Sequence, residues 1–293
     1  MKKILILGAT GMLGHKLLTN LSKNPLFEVW ATSRTDKNLQ KWFGNNLKKK
    51  IISGIDADLF DSFEKQIIAI NPDIVINCIG IIKQLPIADD PVVSISINAL
   101  LPHKIANICK KMNARMIHIS TDCVFDGKKG NYKEKDLSDA YDLYGKSKYL
   151  GEVHYPHAIT LRTSIIGHEL ETHYGLVEWF LSQKEKVKGF KKAIFTGFPT
   201  VEIAEIIEKY IIPNESLIGL YQVSSNPISK YDLLNLIAEI YQKNIIIQPD
   251  ESVFIDRSLD SSLFREKTGY QPPSWELLVQ KMYHDYKNSS QEK

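Results

Sequence analysis

The sequence predicts an α/β fold, in which a doubly wound parallel sheet is followed by a smaller C-terminal α/β lobe that binds substrate. Short aliphatic runs alternate with helical patterns through the first 163 residues, and a glycine-rich turn follows the first run. Beyond residue 163 this alternation loosens. We therefore expect a dinucleotide-binding domain over residues 1–163 and a substrate lobe over 164–293, with room for interleaving between them.

Composition narrows the class of protein. The 293 residues are 43% hydrophobic and 24% charged, and a net charge of +3 is too small to indicate a nucleic-acid partner. Three cysteines lack metal-ligand spacing and disulfide density, so we expect no metal site and a reducing cytoplasm. No stretch is expected to reach the roughly 20 apolar residues of a membrane span.

The first strand and its turn suggest a cofactor site. Residues 3–7 read as a strand buried on both faces, and the turn that follows opens a helix with leucines at helical spacing. In this Rossmann-type context, glycines let the backbone approach a pyrophosphate, whose charge the helix N-terminus stabilises. The alternative is a plain tight turn. The cofactor residues predicted here are Gly8, Thr10, Gly11, Met12, Leu13 and Gly14.

The second strand, expected at 27–32, bears on the choice of cofactor. It ends in Ser33 and Arg34, where an NAD enzyme would place an acidic residue for the ribose hydroxyls. Arg34 instead suits a 2′-phosphate, so NADPH is preferred. NADH stays open, because Asp36 could be the ribose ligand if the loop runs differently.

The next two strands, expected at 51–54 and 73–78, bring further cofactor candidates. Asp58 and Leu59 follow the first of them; the Asp58 carboxylate could accept a hydrogen bond from adenine, or it could cap the helix expected at 60–70. After the second strand come Cys78, Ile79 and Gly80, where backbone could pass close to a ribose.

A helix is expected from Asn98, the last cofactor candidate in this part of the chain, to residue 111. Because it contains Pro102, it should be kinked or start at that residue.

A fifth strand, expected at 115–120, delivers Thr121 to the edge of the sheet where such folds place ligands. Tyr144 and Lys148 follow on a helix expected at 144–152, and their four-residue spacing puts them on one face. An ammonium beside a tyrosine stabilises the phenolate, which moves the hydroxyl pKa toward that of a general acid or base. A sixth strand is expected at 157–163.

The second half is expected to contain helices at 174–183, 201–210, 230–241 and 275–286, with strand-like pieces at 220–223 and 245–247. From about residue 288 we expect a disordered tail.

Five motifs, in this order, resemble one family. They are GATGMLG at 8–14, STDCVFDG at 120–127, YGKSKYLGE at 144–152, LRTSIIG at 161–167 and GFPT at 197–200. Nearly the whole chain resembles an extended short-chain dehydrogenase/reductase, and more narrowly the dTDP-4-dehydrorhamnose reductase group.

The resemblance implies a catalytic group of Thr121, Tyr144 and Lys148. The nicotinamide would give hydride to the C4 carbonyl of a nucleotide-linked 4-keto-6-deoxy sugar, and Tyr144 would give a proton to the same oxygen, which Thr121 hydrogen-bonds. Lys148 would hold the nicotinamide ribose and favour the phenolate. Considered alone, Thr121 would more simply cap the following turn.

Two positions depart from the rhamnose-forming branch. Cys123 and Ile165 stand where that branch is expected to carry Tyr and Trp, which leaves room for an N-acetyl group at C2. A UDP-linked 2-acetamido-4-keto-6-deoxyhexose then fits at least as well as a dTDP sugar. We interpret Cys123 as a pocket-wall residue, not a reactive thiol. Arg162 could pair with a diphosphate or a buried carboxylate. The predicted substrate residues are Thr121, Asp122, Cys123, Val124, Phe125, Arg162 and Ile165.

Two other functions are compatible with the pattern. An NAD-linked epimerase or dehydratase would recycle the hydride, but Arg34 and the Cys123 that follows Asp122 count against it. A non-catalytic subunit, similar to the regulatory subunit of methionine adenosyltransferase, is disfavoured by the intact Thr121, Tyr144 and Lys148. The expected partner is a nucleotide-diphosphate sugar, and the sequence leaves room for a homodimer.

Overall fold

The computed structural model describes residues 1–291, with side chains to Ser289. The helices and strands of the first half are β1 (Lys2–Leu7), α1 (Met12–Leu21), β2 (Phe27–Thr32), α2 (Leu39–Trp42), α3 (Asn45–Lys48), β3 (Ile51–Ile52), α4 (Phe60–Ile70), β4 (Ile74–Asn77), α5 (Pro91–Ser94), α6 (Leu101–Met112), β5 (Arg115–Thr121), α7 (Leu143–Leu150) and β6 (Ala158–Thr163).

The second half continues with β7 (Ile165–Ile166), α8 (Leu176–Ser182), β8 (Lys186–Phe195), β9 (Phe198–Pro199), α9 (Thr200–Ile206), β10 (Gly219–Gln222), β11 (Ile228–Ser229), α10 (Lys230–Ile240), β12 (Ile246–Asp256), α11 (Ser262–Thr268) and α12 (Trp275–Gln291). Single turns of 3₁₀ helix lie at Pro86–Asp89 and Asp122–Val124, and π turns lie at Ile95–Leu100 and Ile207–Ile211.

The central sheet confirms the predicted fold class. Its seven strands are all parallel, in the order β10-β6-β5-β4-β1-β2-β3. Ile4 and Ile6 of β1 join one buried cluster, while Leu5 and Leu7 join the cluster on the other face. Both faces of β1 are therefore covered, which explains its continuous apolar sequence. The strand order reverses between β1 and β4, the point at which open α/β sheets bind ligands.

The C-terminal half does not stand apart from this sheet. β10 pairs with β6, so residues 219–222 extend the sheet that the first half builds. The rest of that half contains a three-stranded sheet, in the order β11-β8-β12, and a two-stranded sheet of β7 and β9. The domain boundary at 163 stays a prediction, and β10 shows that the two parts interleave.

Three expectations about the second half were wrong. The ten-residue strand β8 was not predicted, because its lysines lie on a half-exposed surface and interrupt the apolar run. The helix α11 was also missed. The expected disordered tail is helical in α12 as far as Gln291, and residues 292 and 293 lie outside the described part of the chain.

The helix expected from Asn98 begins earlier, at Pro91, and runs to Met112 through a π turn. Asp90 caps it by accepting hydrogen bonds from the backbone N–H groups of Val92 and Val93. The π turn ends just before Pro102, which lacks the N–H group that a regular helix would use.

This helix also corrects the expectation about membrane spans, because by length and hydropathy it could cross a membrane. However, 56% of its most apolar window is buried inside the structure, as in a core helix.

Candidate active site

The glycine turn after β1 is shaped by close backbone contacts. Gly8 has a φ of +92°, a conformation that side chains disfavour. A Cβ atom at Gly14 would lie 1.9 Å from the Gly8 carbonyl oxygen, so only glycine lets α1 approach the turn this closely. Gly11 precedes α1, and no side chain caps that helix. Its free N–H groups can therefore receive an anion such as a pyrophosphate.

The other residues predicted in this turn divide between surface and core. Thr10 is exposed and Met12 is half-buried, whereas the Leu13 side chain is buried in the core. Leu13 can therefore reach a ligand only through its backbone.

The end of β4 lies against the glycine turn. A Cβ atom at Gly8 would be 3.5 Å from the Cys78 carbonyl group, and one at Gly80 would be 3.9 Å from Lys148 Nζ. Burial raises the pKa of the half-buried Cys78 to about 12, so its thiol stays protonated. The predicted segment Cys78, Ile79 and Gly80 therefore runs between the turn and Lys148.

Asn98, which was predicted as a cofactor residue, holds this segment in place. Its Oδ1 accepts a hydrogen bond from Ile81 N at 2.8 Å, and its Nδ2 donates to Ile81 O at 3.0 Å and to Ser147 Oγ at 3.3 Å. The side chain is 1% exposed. Asn98 thus ties the loop after β4 to the helix α7.

The residues after β2 differ in exposure. Ser33 is buried, and its hydroxyl donates to the Thr35 carbonyl oxygen at 2.7 Å. Arg34 and Asp36 are exposed, and the Arg34 side chain forms no hydrogen bond or ion pair with another described residue. The Arg34 guanidinium is therefore free to meet a phosphate at this edge of the sheet.

The capping role considered for Asp58 was wrong. The residue that precedes α4 is Leu59, and no side chain caps this helix. The side chain of Asp56, not that of Asp58, accepts a hydrogen bond in this turn, from Asp58 N at 3.1 Å. Asp58 and Leu59 both remain exposed.

Helix α7 confirms the predicted placement of Tyr144 and Lys148 on one helix. It begins after Asp142, whose Oδ1 accepts a hydrogen bond from Gly145 N at 2.7 Å. A Cβ atom at Gly145 would lie 2.3 Å from the Cys123 carbonyl oxygen. The glycine therefore lets this helix pack directly on the turn that follows β5.

Thr121 interacts with Tyr144 where α7 packs on the turn after β5. The Thr121 side chain also caps that turn. Its Oγ1 accepts a hydrogen bond from Cys123 N at 3.1 Å and donates to Asp122 Oδ1 at 3.1 Å. Thr121 is also the side-chain partner that lowers the pKa of Tyr144. The capping role is thus observed, and the catalytic role of Thr121 stays a prediction.

The pKa of Tyr144 is not lowered in the protein alone as expected, and stabilisation of its phenolate by Lys148 stays a prediction. Burial raises the pKa of the Tyr144 hydroxyl, the charge of Cys123 adds to this, and the contribution that lowers it comes from Thr121. Tyr144 is consequently protonated over the ordinary pH range and can act as a proton donor.

Lys148 is buried beneath the site, with 6% of its surface exposed. Its Nζ donates a hydrogen bond to the Ile119 carbonyl oxygen at 2.8 Å. Burial lowers the pKa of Lys148 to about 8, against the opposite influence of Glu152 and, more weakly, Cys78. Its ammonium therefore titrates close to neutral pH.

Asp122 and Cys123 begin the substrate side of the site. Burial raises the pKa of Asp122, and the charge of Arg257 acts against this. Burial also raises the pKa of the Cys123 thiol to about 11, so a reactive thiolate does not form near neutral pH. Ile165 is half-buried and packs against the larger core cluster.

Two predicted substrate residues belong to the core instead. Val124 and Phe125 are fully buried, and they cluster with Tyr132 and Leu259. The Phe125 ring stacks on Tyr132 at a centroid distance of 4.0 Å. Because these side chains have no exposed surface, they cannot touch a substrate in this structure.

Arg162 also turns away from the substrate. Its Nε and Nη2 donate to the two carboxylate oxygens of Glu152, each at 2.7 Å, and both residues are nearly fully buried. Of the two partners considered, the buried carboxylate is thus the observed one. Arg162 holds the structure behind the site and is not available to a diphosphate.

Three cations that the sequence did not single out surround the substrate side. They are Lys83 after β4, Lys230 at the start of α10 and Arg257 after β12. All three act electrostatically on Asp122 and Cys123. Burial and the nearby charge of Lys83 lower the pKa of Lys230.

These cations have no carboxylate partner. Arg257 Nε donates to the Phe125 carbonyl oxygen at 2.6 Å, and none of the three forms an ion pair within the described residues. Among the described residues their positive charge is therefore opposed by Asp122 at longer range, not by an ion pair, on the side of the site that carries Asp122 and Cys123. No short-range spacing could have revealed it, because these residues lie far apart in sequence.

The chain is similar to several known proteins. A family model described as RmlD substrate binding domain matches residues 1–288. A dTDP-4-dehydrorhamnose reductase of Aggregatibacter actinomycetemcomitans is 27% identical over 307 residues, which cover 95% of this chain and 97% of the relative. Methionine adenosyltransferase 2 subunit beta of Danio rerio is 28% identical over 178 residues, which cover 58% of this chain and 50% of that protein.

Among solved structures, a dTDP-4-dehydrorhamnose reductase of Bacillus anthracis in complex with NADP has a TM-score of 0.80. It is 22% identical, and the match covers 97% of this chain and 99% of that one. At this identity the similarity supports the fold.

Proposed function

Because the chain belongs to the RmlD substrate binding domain family, we propose that it is an NADPH-dependent reductase of a nucleotide-linked 4-keto-6-deoxyhexose. The product would serve deoxysugar and surface polysaccharide synthesis. The observation that carries the proposal is the interaction of Thr121 with Tyr144, which shares a helix with the buried Lys148, at the edge of the sheet that also bears the glycine turn. These groups form a proton donor beside a dinucleotide site.

The residues at the glycine turn fit a dinucleotide. The uncapped start of α1 would hold the pyrophosphate, Arg34 the 2′-phosphate, and the exposed Asp58 the adenine. The segment from Cys78 to Gly80 would lie against the nicotinamide ribose, next to Lys148. When bound, NADPH supplies the hydride.

Side chains of this protein would transfer the proton to the sugar and stabilise the negative charge that the transfer leaves behind. Tyr144, protonated because burial raises its pKa, donates its hydroxyl proton to the oxygen at C4 of the sugar. Thr121 would hydrogen-bond the same oxygen, in place of the hydrogen bond that its hydroxyl now donates to Asp122 Oδ1. Lys148, while protonated, would stabilise the phenolate that forms when Tyr144 gives up its proton, although it is not among the groups that shift the Tyr144 pKa in the protein alone.

The three unpaired cations support an anionic substrate. A nucleotide-diphosphate sugar carries two negative charges on its diphosphate, which would neutralise the field of Lys83, Lys230 and Arg257. This charge complementarity also favours association with the substrate.

Cys123 and Ile165 favour a substrate with a substituent at C2. Both side chains are smaller than the Tyr and Trp expected in the rhamnose-forming branch, and both are half-buried. We infer that a UDP-linked 2-acetamido-4-keto-6-deoxyhexose is accepted at least as well as dTDP-4-dehydrorhamnose.

One assay tests this function. NADPH consumption is measured with UDP-, dTDP- and GDP-linked 4-keto-6-deoxy sugars, and the C4 configuration of each product is assigned by NMR. We expect one NADP released per sugar reduced, with the UDP-2-acetamido sugar among the substrates. Turnover of a nucleotide sugar without net NADPH oxidation would instead identify an epimerase or dehydratase.

A non-catalytic role is the second candidate, because the chain resembles methionine adenosyltransferase 2 subunit beta over part of its length. The presence of Thr121, Tyr144 and Lys148 in one site argues for catalysis. NADPH binding without oxidation by any sugar of the panel would favour the binding role.

Three free cysteines suit a reducing compartment, so we propose a cytoplasmic location. A homodimer stays a prediction, which light scattering of the purified chain can check.

A further inference from the structure

A buried ion pair lies behind the predicted proton donor. Glu152 is 4% exposed and Arg162 is 2% exposed. The Glu152 carboxylate accepts two hydrogen bonds from Arg162 and a third from Ser120 Oγ, each at 2.7 Å. Three donors on one carboxylate hold it in a single orientation.

This carboxylate is placed close to Lys148 by the chain itself. Glu152 follows Lys148 by four residues, and its N–H donates to the Tyr149 carbonyl oxygen at 3.1 Å, so the chain is still turning just beyond α7. Lys148 Nζ is bound to the carbonyl oxygen of Ile119, the residue before Ser120. Ile119 and Ser120, which are adjacent in β5, thus bind the Lys148 ammonium and the Glu152 carboxylate respectively.

The other groups that face Lys148 carry no negative charge near neutral pH. Burial raises the pKa of Cys78 to about 12, and it lowers the pKa of His118 on β5, so both side chains are neutral. Tyr144 is protonated, and Asn98 is uncharged. Among the described residues, Glu152 is the carboxylate that favours the charged form of Lys148.

We propose that Glu152, oriented by Arg162 and Ser120, is a positioning residue that keeps Lys148 protonated while Tyr144 donates its proton. The role rests on the proposed reductase function. When the Tyr144 O–H bond breaks, the proton goes to the sugar oxygen and the phenolate retains the electron pair. A protonated Lys148 stabilises that phenolate, whereas a neutral amine does so far less. Glu152 would thus extend activity toward higher pH.

The test compares Lys148 in the wild type and in Glu152→Gln. The protein is labelled with ¹³Cε lysine, the signal of Lys148 is assigned with Lys148→Met, and its chemical shift is followed against pH. The wild-type signal should titrate at about pH 8. In Glu152→Gln we expect the midpoint to fall by about one pH unit, and the alkaline limb of the kcat profile to move with it.

Two further variants test whether a change in the Lys148 midpoint reflects only a general structural disturbance. Glu202→Gln neutralises another buried carboxylate, which binds Tyr270 and Lys281, and it should leave the Lys148 midpoint unchanged. If Glu152→Gln does not fold because Arg162 is left unpaired, Glu152→Gln with Arg162→Gln removes both charges. It should still lower the midpoint, but by less than Glu152→Gln does, because the Arg162 charge that it also removes disfavours a second cation nearby.

An unchanged Lys148 midpoint in a folded Glu152→Gln or double variant would overturn the proposal. A midpoint that falls while the alkaline limb of kcat stays in place would also overturn it, because Lys148 protonation would then not support the reaction. The NMR titration needs no sugar. If the midpoint falls but no 4-keto sugar is reduced, the coupling of Glu152 to Lys148 stands and the proposed reductase function fails.

Discussion

The two sides of the predicted reaction centre are built differently. On the cofactor side, formed by the glycine turn, Thr121, Tyr144 and Lys148, backbone atoms pack so closely that Gly14 and Gly145 admit no side chain. On the sugar side, formed by Lys83, Cys123, Ile165, Lys230 and Arg257, partly exposed side chains come from separate segments.

This difference suggests how such a site can change its substrate. Substitutions on the sugar side alter size and charge without moving backbone, so substrate preference can change there at little cost to the fold. Substitutions at Gly14 or Gly145 on the cofactor side would instead displace the backbone. We therefore expect the cofactor side to tolerate fewer changes, and the three predictions below compare the two sides.

The largest effect is expected at the proton donor on the cofactor side. Tyr144→Phe removes the hydroxyl that contacts Thr121 and keeps the ring, so NADPH affinity should be retained while kcat falls at least ~10²-fold. Steady-state kinetics with a reducible 4-keto sugar and a fluorescence titration of NADPH measure the two quantities. A rate near that of the wild type would remove Tyr144 from the mechanism.

A smaller effect, on NADPH affinity, is expected when the close backbone packing of the cofactor side is disturbed. In Gly14→Ala the new Cβ atom would lie 1.9 Å from the Gly8 carbonyl oxygen, so α1 or the turn must move. We expect the NADPH dissociation constant to rise about 10-fold or more, since the pyrophosphate relies on that geometry.

The matched control for this variant is Gly44→Ala, because no atom lies within 4 Å of a Cβ at that position. NADPH affinity should be unchanged there. Equal losses in both variants would show that the close approach at Gly14 is not what binds the cofactor.

The smallest effect is expected on the sugar side. Lys230→Ala removes one of three unpaired cations, so KM for the nucleotide sugar should rise about 10-fold while kcat and NADPH affinity stay near the wild type. The difference should shrink at high salt, which screens the diphosphate.

Lys65→Ala serves as the control, because this exposed lysine on α4 forms no hydrogen bond or ion pair within the described residues. If both variants had the same KM, the cation group would have no part in substrate binding. If Lys230→Ala lowered kcat as strongly as Tyr144→Phe, the division into two sides would be wrong.

The sequence by itself determined the fold class, the glycine turn and the positions of the first six strands along the chain. It also determined that Tyr144 and Lys148 share one helix. These features depend on contacts a few residues apart: strand periodicity, the close turn after β1, and a four-residue spacing on a helix. Such local patterns are visible without knowledge of the rest of the chain.

Only the tertiary structure decided what each site residue faces. It paired Arg162 with Glu152, buried Val124 and Phe125, and brought Lys230 and its neighbouring cations to one edge. It also decided protonation, since burial raises the pKa of Tyr144 and lowers that of Lys148. The reason is that solvent exclusion and charge contacts depend on segments distant in sequence, whose distances no local pattern encodes.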